Sequence, residues 1–287
     1  MALSARRARP VNGKETTMKL VRDDIGLNYE EAGSGDQTMF LIHGAFADRT
    51  TYSEQFDHFA ADRRVIAVEL RGHGDSDKPP GPYSIEGFAE DVAWMCSELG
   101  AGDAILIGHS LGGLVALEAA ARQGIGSAVI TLDSPSLIPG WTQRNPGRYA
   151  DAMKSPDFRS VLRGFLAVAY LPFDDPEKAA EDLMKVDLVP EHAVRATWDS
   201  LFTWDPIPAL EAMEKPFLYL DHGQPDVPMD VVRRYCPQVV YGQTVGAGHR
   251  ALQVVPNQVN AMIERFVQHA DELADFMRAT AGGYKYG

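Results

Sequence analysis

The chain has 287 residues, of which 45% are hydrophobic and 23% are charged, as is usual for a globular protein with a sizeable core. The formal net charge of −13 argues against a nucleic-acid partner, because a phosphate-binding face needs concentrated Lys and Arg. The sequence contains no apolar run of about 18 residues, so it predicts no membrane span and no membrane partner.

The first 17 residues contain three arginines but lack the apolar core of a secretory signal. A strand-like run begins at Met18, so residues 1–17 are predicted to be a disordered leader. The two cysteines, Cys96 and Cys236, are far apart and too few for a disulfide framework, and we interpret them as reduced thiols. We therefore expect a cytoplasmic protein.

Short β-branched runs recur along the chain and alternate with helical patterns. Two runs, 18–23 and 26–31, are predicted to be antiparallel edge strands. Six nearly continuous apolar runs are typical of a sheet covered on both faces, and they lie at 38–44, 64–74, 103–109, 127–133, 215–223 and 238–249. Strands that alternate with helices predict an α/β fold with a doubly wound, mostly parallel sheet.

Three helices are predicted between these strands. The helix at 84–100 has Ser84 as its N-cap and Gly100 just past its end. The helix at 111–124 is apolar nearly all round, as expected for a helix packed against a sheet. A third apolar stripe covers residues 257–277.

Residues 137–213 contain no convincing strand pattern, while prolines and aromatic residues accumulate there. We predict that this interval is a helical cap inserted between two core strands. The core itself would consist of residues 18–136 and 214–287. Insertions at the carboxyl edge of such a sheet lie over the crevice in which ligands bind, so the cap is expected to cover the site.

The sequence GHSLGG at 108–113 places Ser110 directly after a predicted buried strand and before an apolar helix. Side chains at Gly108 and Gly112 would collide in such a tight turn, so the glycines are expected to remove the collision. The turn would lift the serine hydroxyl above the sheet edge, at the positive end of the helix. This pattern indicates a nucleophilic serine.

A serine nucleophile needs a base, an orienting acid and an oxyanion hole. His249, which follows the last strand, is the candidate base. Asp226, after the preceding strand, is the candidate acid, and Asp133, which closes an earlier strand, is the alternative. The backbone N–H groups of Ala45 and Leu111 are the candidate oxyanion donors.

With its candidate triad in the order Ser110, Asp226, His249, the chain resembles the α/β-hydrolase superfamily over residues 18–278. The resemblance is carried by His43-Gly44, RGHGDSD at 71–77, the nucleophile turn, the Gly223-to-Asp226 spacing and Gly248-His249. It implies the fold of that family and a nucleophilic mechanism. Serine rather than aspartate at 110 argues against the epoxide-hydrolase and haloalkane-dehalogenase branches.

The candidate pocket residues come from the loop after the first core strand, the nucleophile turn and the cap. They are His43, Phe46, His109, Trp141 and Trp204. His43 is also expected to brace the loop that contains Ala45, which we call the oxyanion loop. Metal, phosphate and dinucleotide motifs are not found in the sequence, so we predict no metal and no cofactor.

The sequence thus predicts a cofactor-independent serine hydrolase that acts on an ester, thioester or lactone with an apolar body. Three alternatives remain open: a C–C bond hydrolase acting on a diketone-like substrate, a cofactor-free dioxygenase with a His–Asp base, and a hydrolase-fold ligand receptor. The expected partner is a small-molecule substrate, and a homodimer also remains open.

Overall fold

The computed structural model describes residues 17–134, 137–138, 153–167, 170–222 and 229–280. Eight strands form one sheet: β1 (Met18–Arg22), β2 (Ile25–Ala32), β3 (Thr38–Ile42), β4 (Arg64–Val68), β5 (Ile105–His109), β6 (Ala128–Leu132), β7 (Phe217–Asp221) and β8 (Val239–Gln243). Their order across the sheet is β1-β2-β4-β3-β5-β6-β7-β8.

The first two strands run antiparallel to their neighbours, and all the other pairs in the sheet are parallel. The turn between β1 and β2 consists of Asp23 and Asp24, which both have positive φ, as a two-residue hairpin turn requires. The predicted mostly parallel α/β sheet is confirmed. Of the two strands predicted to be edge strands, only β1 lies at an edge, because β2 pairs with β1 on one side and with β4 on the other. Strand β8 forms the opposite edge.

Helices surround this sheet in the described part of the chain. They are α1 (Ser53–Phe59), α2 (Ile85–Glu98), α3 (Leu111–Arg122), α4 (Phe158–Ala167), α5 (Pro176–Leu188), α6 (Glu191–Thr203), α7 (Ile207–Ala212), α8 (Met229–Tyr235), α9 (Ala251–Val254), α10 (Pro256–Gln268) and α11 (Ala270–Thr280). None of the described helices is both long and apolar enough to cross a bilayer.

The sheet has a hydrophobic core on each face, because successive residues of a strand point to opposite sides. Phe40 and Ile42 of β3 belong to the core that includes α2 and α3. Met39 and Leu41 belong to the opposite core, with side chains of α1 and α10. Both faces are therefore buried, which explains the continuous apolar runs of the central strands.

The predicted helix ends agree with the structure at α2 and differ from it near the end of the chain. The Ser84 side chain accepts a hydrogen bond from the N–H of Gly87, as an N-cap does. The apolar stripe at 257–277, by contrast, is divided into α10 and α11. The division lies at His269, where φ is −138° and ψ is 30°, outside the helical region.

Helices α4 to α7 lie between β6 and β7 in the chain, and the described residues of this interval contain no strand. Several contacts join this region to the core, and among them the Lys185 ammonium of α5 donates to Asp48 Oδ1 at 3.0 Å and to Thr50 Oγ1 at 2.8 Å. Helix α5 is therefore hydrogen-bonded to the segment after β3 that contains Asp48 and Thr50. The limits of the cap at 137 and 213 remain a prediction.

Candidate active site

Ser110 occupies a strained turn between β5 and α3. Its φ of 53° and ψ of −117° are rare for a residue with a side chain, and such outliers are concentrated at functional sites. A Cβ atom on Gly108 would lie 2.0 Å from the carbonyl oxygen of Gly112. Glycine at 108 is therefore required for the strand to turn directly into the helix at Ser110.

The other two glycines of the motif allow α3 to approach neighbouring strands. A Cβ on Gly112 would lie 2.1 Å from the carbonyl oxygen of Ile42, at the end of β3, and one on Gly113 would lie 2.0 Å from Ser134 Oγ. The reason for Gly112 thus differs from the predicted collision inside the turn. The helix that carries the nucleophile is seated against the ends of β3 and β6.

The loop after β3 lies directly against the nucleophile. A Cβ on Gly44 would lie 2.9 Å from His109 Nδ1 and 3.2 Å from Ser110 Cβ, so the loop packs closely on both residues. Within the described residues, the backbone N–H groups of Ala45 and Leu111 have no hydrogen-bond acceptor, as is usual for the first residue of a helix such as Leu111. Ala45 and Leu111 therefore remain the candidate donors to a substrate oxygen.

His43 stabilises this loop from inside the protein. Its Nδ1 donates to the carbonyl oxygen of Gly44 at 2.7 Å, and its Nε2 accepts from the N–H of Leu70 at 3.1 Å. Burial lowers the pKa of His43, which keeps the ring neutral. The ring has no exposed surface and both nitrogens are engaged, so it fits the bracing role and not a contact with substrate.

His249 follows β8 and is held from two sides. Its Nδ1 contacts Asp133 Oδ2, and its carbonyl oxygen accepts a hydrogen bond from His109 Nε2 at 2.8 Å. The His109 and His249 rings lie 4.6 Å apart, centroid to centroid. Burial lowers the pKa of His109 well below its ordinary value, so His109 is a neutral support for the loop of His249.

Asp133 directly follows β6, and the end of this strand is hydrogen-bonded to both neighbouring strands. Its N–H donates to the carbonyl oxygen of Leu220 at 2.7 Å, while Ser110 donates from its own N–H to Leu132 at 3.0 Å. Burial alone would raise the pKa of Asp133, but His249 and His222 hold it well below its usual range. The structure thus brings the alternative acid to His249, whereas Asp226 lies outside the described residues.

His222 is a residue of this site that is not among the candidates identified from the sequence. Its Nδ1 lies 2.9 Å from Asp133 Oδ1 and 3.2 Å from Asp221 Oδ1. Burial would lower the pKa of His222, but these two carboxylates raise it to about 10. No local sequence signal marks this contact, because it depends on the strand register: Leu132 pairs with Leu220, so the residues that follow them, Asp133 and Asp221, are neighbours.

The same three side chains offer atoms that a metal ion could bind. One ligand atom each from Asp133, Asp221 and His222 lies within 4.8 Å of the others. A cation there would have to displace the proton of His222 and compete with His249 for Asp133. Ion pairing with His222 accounts for the cluster, and we assign no metal to it.

The predicted pocket residues do not all lie near Ser110. Phe46 is buried and stacks between Trp198 of α6 and His73, at centroid distances of 6.3 and 6.2 Å. Trp204 lies beside Glu118 of α3, which is eight residues beyond Ser110, or about 12 Å along the helix axis. Trp204 therefore packs on the flank of α3 and away from the Ser110 turn, whereas Trp198 contacts Phe46 in the loop after β3.

Trp141, the remaining pocket candidate, lies outside the described residues.

The two cysteines, Cys96 and Cys236, are free and buried, as the sequence predicts for reduced thiols.

Comparison with known proteins agrees with this architecture. Residues 39–262 match the sequence model of the Alpha/beta hydrolase family. Over 104 residues the chain is 39% identical to 2-(acetamidomethylene)succinate hydrolase of Mesorhizobium japonicum, a match that covers 35% of this chain and 37% of that protein. Two further curated relatives are matched over 46% and 42% of their lengths, so the chain spans less than half of these relatives.

Solved structures match over nearly the whole length. An N-acyl homoserine lactone degrading enzyme, Est816, superposes with a TM-score of 0.76 at 22% identity, covering 87% of this chain and 100% of that one. A thermophilic esterase from Thermogutta terrifontis gives a TM-score of 0.75 at 24% identity, covering 90% and 99%. At these identities the likeness shows a shared fold.

Proposed function

The chain belongs to the α/β hydrolase family, and on that basis we propose that it is a serine hydrolase of a carboxylic ester, thioester or lactone with an apolar body. The observation that carries this proposal is the position of Ser110. It lies in a strained strand-to-helix turn, one residue from His109, which supports the loop of His249. The named activities of the esterase and lactone-degrading structures support the choice of an ester bond.

In the proposed mechanism, Ser110 Oγ attacks the substrate carbonyl and forms an acyl-enzyme. His249 takes the serine proton at Nε2 and returns it to the leaving group, and water then releases the acyl group by the same route in reverse. The N–H groups of Ala45 and Leu111 bind the negative charge that develops on the carbonyl oxygen.

We assign the orienting acid to Asp133. Its Oδ2 is in contact with His249 Nδ1, which fixes the ring with Nε2 free to accept the serine proton. A buried carboxylate at this place also stabilises the imidazolium that forms during the reaction. Both roles need a charged Asp133, which agrees with the direction of its pKa shift.

The apolar part of the substrate is proposed to lie under the cap. Phe46 and Trp198 place aromatic surface between the oxyanion loop and α6. Two buried free thiols support a cytoplasmic location, as a further part of the proposal.

The test uses the full-length chain with p-nitrophenyl esters of increasing acyl length, an acyl homoserine lactone and a fluorophosphonate probe. We expect ester turnover and labelling of the wild type, and a loss of turnover on the order of 10⁶-fold in Ser110→Ala. The matched control is Ser127→Ala, since Ser127 is exposed at the start of β6. Near-normal turnover by folded Ser110→Ala would refute the serine mechanism, and cleavage of a diketone but of no ester would assign a C–C hydrolase.

A further inference from the structure

The Asp133 carboxylate lies between two imidazole rings. Its Oδ2 contacts His249 Nδ1, and its Oδ1 lies 2.9 Å from His222 Nδ1. We propose that His222 is a positioning residue, which holds the Asp133 carboxylate in the orientation and charge state that His249 requires. This inference rests on the proposed serine mechanism.

His222 is itself fixed by the strand end that precedes it. Its backbone N–H donates to Asp221 Oδ1 at 2.7 Å, and the Asp221 Oδ2 accepts the Tyr241 hydroxyl of β8 at 3.0 Å. The Asp221 side chain is buried. The backbone of His222 is therefore held at the end of β7, and the ring Nδ1 lies at ion-pair distance from the carboxylate oxygen that His249 does not use.

The charges around His222 explain why a cation is needed there. Asp133 and Asp221 face it directly, Tyr219 and Tyr241 lie beside the two carboxylates, and His249 lies across Asp133. Without a cation, two neighbouring buried carboxylates would repel each other, and such pairs tend to take up a proton. A protonated or rotated Asp133 could not accept the hydrogen bond from His249 and stabilise its imidazolium at the same time.

Three substitutions separate the parts of this role. His222→Leu fills much of the ring volume but removes the Nδ1–H group and the charge. His222→Asn places an amide N–H near the position of Nδ1, and His222→Gln places it about one methylene farther, near the position of Nε2. The Asn variant thus has an N–H donor near the position of Nδ1, which faces Asp133, and the Gln variant has it near the position of Nε2.

With p-nitrophenyl butyrate as the probe, we expect His222→Leu to lower kcat by roughly 10–100-fold while KM changes little, as for a group that orients a catalytic ligand. His222→Asn should recover most of kcat, and His222→Gln should not. In all three variants the acidic limb of the kcat/KM profile should move to higher pH, because Asp133 loses the neighbouring cation that lowers its pKa and takes up a proton more readily.

Circular dichroism and thermal unfolding establish which variants are folded, and the Asn–Gln pair serves if His222→Leu does not fold. Wild-type kcat and an unmoved acidic limb in the folded variants would overturn the inference. So would loss of wild-type activity on chelation and its recovery with Zn²⁺ or Mn²⁺, because the three side chains would then be ligands. If Ser110→Ala has no turnover while the three His222 variants keep wild-type kcat, only this inference is refuted. If Ser110→Ala keeps its turnover, the proposed function is refuted.

Discussion

Ser110 and Asp133 stand at the carboxyl ends of the neighbouring parallel strands β5 and β6, and both have positive φ, 53° and 45°. The two ends are joined, since the N–H of Ser110 donates to the carbonyl oxygen of Leu132 at 3.0 Å. Positive φ costs energy for any residue with a Cβ, though least for Asp and Asn. Two such residues side by side place the proposed nucleophile and acid one strand apart.

The first prediction distinguishes the two candidate acids. Asp133→Asn should lower kcat by about 10⁴-fold, because the amide favours the wrong tautomer of His249. Asp226→Asn should cost at most about 10-fold, or roughly 1.4 kcal/mol of transition-state stabilisation. Both folded variants are assayed together on one p-nitrophenyl ester. The reverse ranking would return the acid to Asp226, as the chain order of the family suggests.

A second prediction concerns the seat of α3 on β6. A methyl group on Gly113 would lie 2.0 Å from Ser134 Oγ and 2.9 Å from its Cβ, so Gly113→Ala should push the helix away from the strand. We expect a loss of about 1–3 kcal/mol in the free energy of unfolding, together with a fall in kcat, because Ser110 moves with the helix. The measurements are the urea midpoint and ester turnover.

The control for that substitution is Gly102→Ala. A Cβ on Gly102 meets nothing within 4 Å, so stability and activity should remain close to wild type. Equal effects of the two substitutions would show that α3 is not seated as tightly as the structure indicates.

A third prediction follows from the buried His73. Burial lowers the pKa of His73 from its ordinary 6.5 to about 3, so between these values the unfolded chain binds a proton that the folded protein does not. Stability should therefore fall as pH drops through this window, by up to about 1.4 kcal/mol per pH unit from this residue alone. His43 and His109, whose pKa values are also lowered by burial, act in the same direction.

The measurement is the urea unfolding free energy of wild type and His73→Asn between pH 7 and pH 4. The Asn amide can keep the hydrogen bond that His73 Nδ1 donates to the carbonyl oxygen of Arg71. On acidification His73→Asn should lose less unfolding free energy than the wild type. His192→Asn, at an exposed position, should lose as much as the wild type. Parallel curves for His73→Asn and wild type would contradict the prediction.

The fourth prediction compares two tryptophans of the cap. Trp198 stacks near Phe46 of the oxyanion loop, so Trp198→Leu should change the ratio of kcat/KM for short and long acyl esters by roughly 10–200-fold. Trp204 packs on the flank of α3, so Trp204→Leu should lower stability and leave that ratio unchanged. An unchanged ratio in Trp198→Leu would mean that α6 is scaffold and does not select substrates.

Much of this architecture could be predicted from the sequence because it depends on local patterns. Continuous apolar runs identified the buried strands, and the glycines around Ser110 identified the turn. The position of the end of β8 made His249 a candidate base. Each of these signals involves residues close together in the chain, so no knowledge of strand order was required.

The remaining features depend on contacts between distant segments. The choice between Asp133 and Asp226 needs the distance from each carboxylate to His249, and the chain order of the family favours one answer while the observed contact favours the other. The pairing of His222 with Asp133 needs the register of β6 against β7. Trp204 is predicted near the site because it is aromatic and in the cap, yet it follows the end of α6 and lies beside Glu118.

The contact of Lys185 with Asp48 and Thr50 affects how this chain could be recombined with its relatives. The ammonium belongs to the inserted helices, while its two acceptors belong to the segment that leads out of the oxyanion loop. A chimaera that receives its cap from another protein would lose these two hydrogen bonds unless the donor cap carries a cation at the position of Lys185. Cap and oxyanion loop are therefore best exchanged together, as one module.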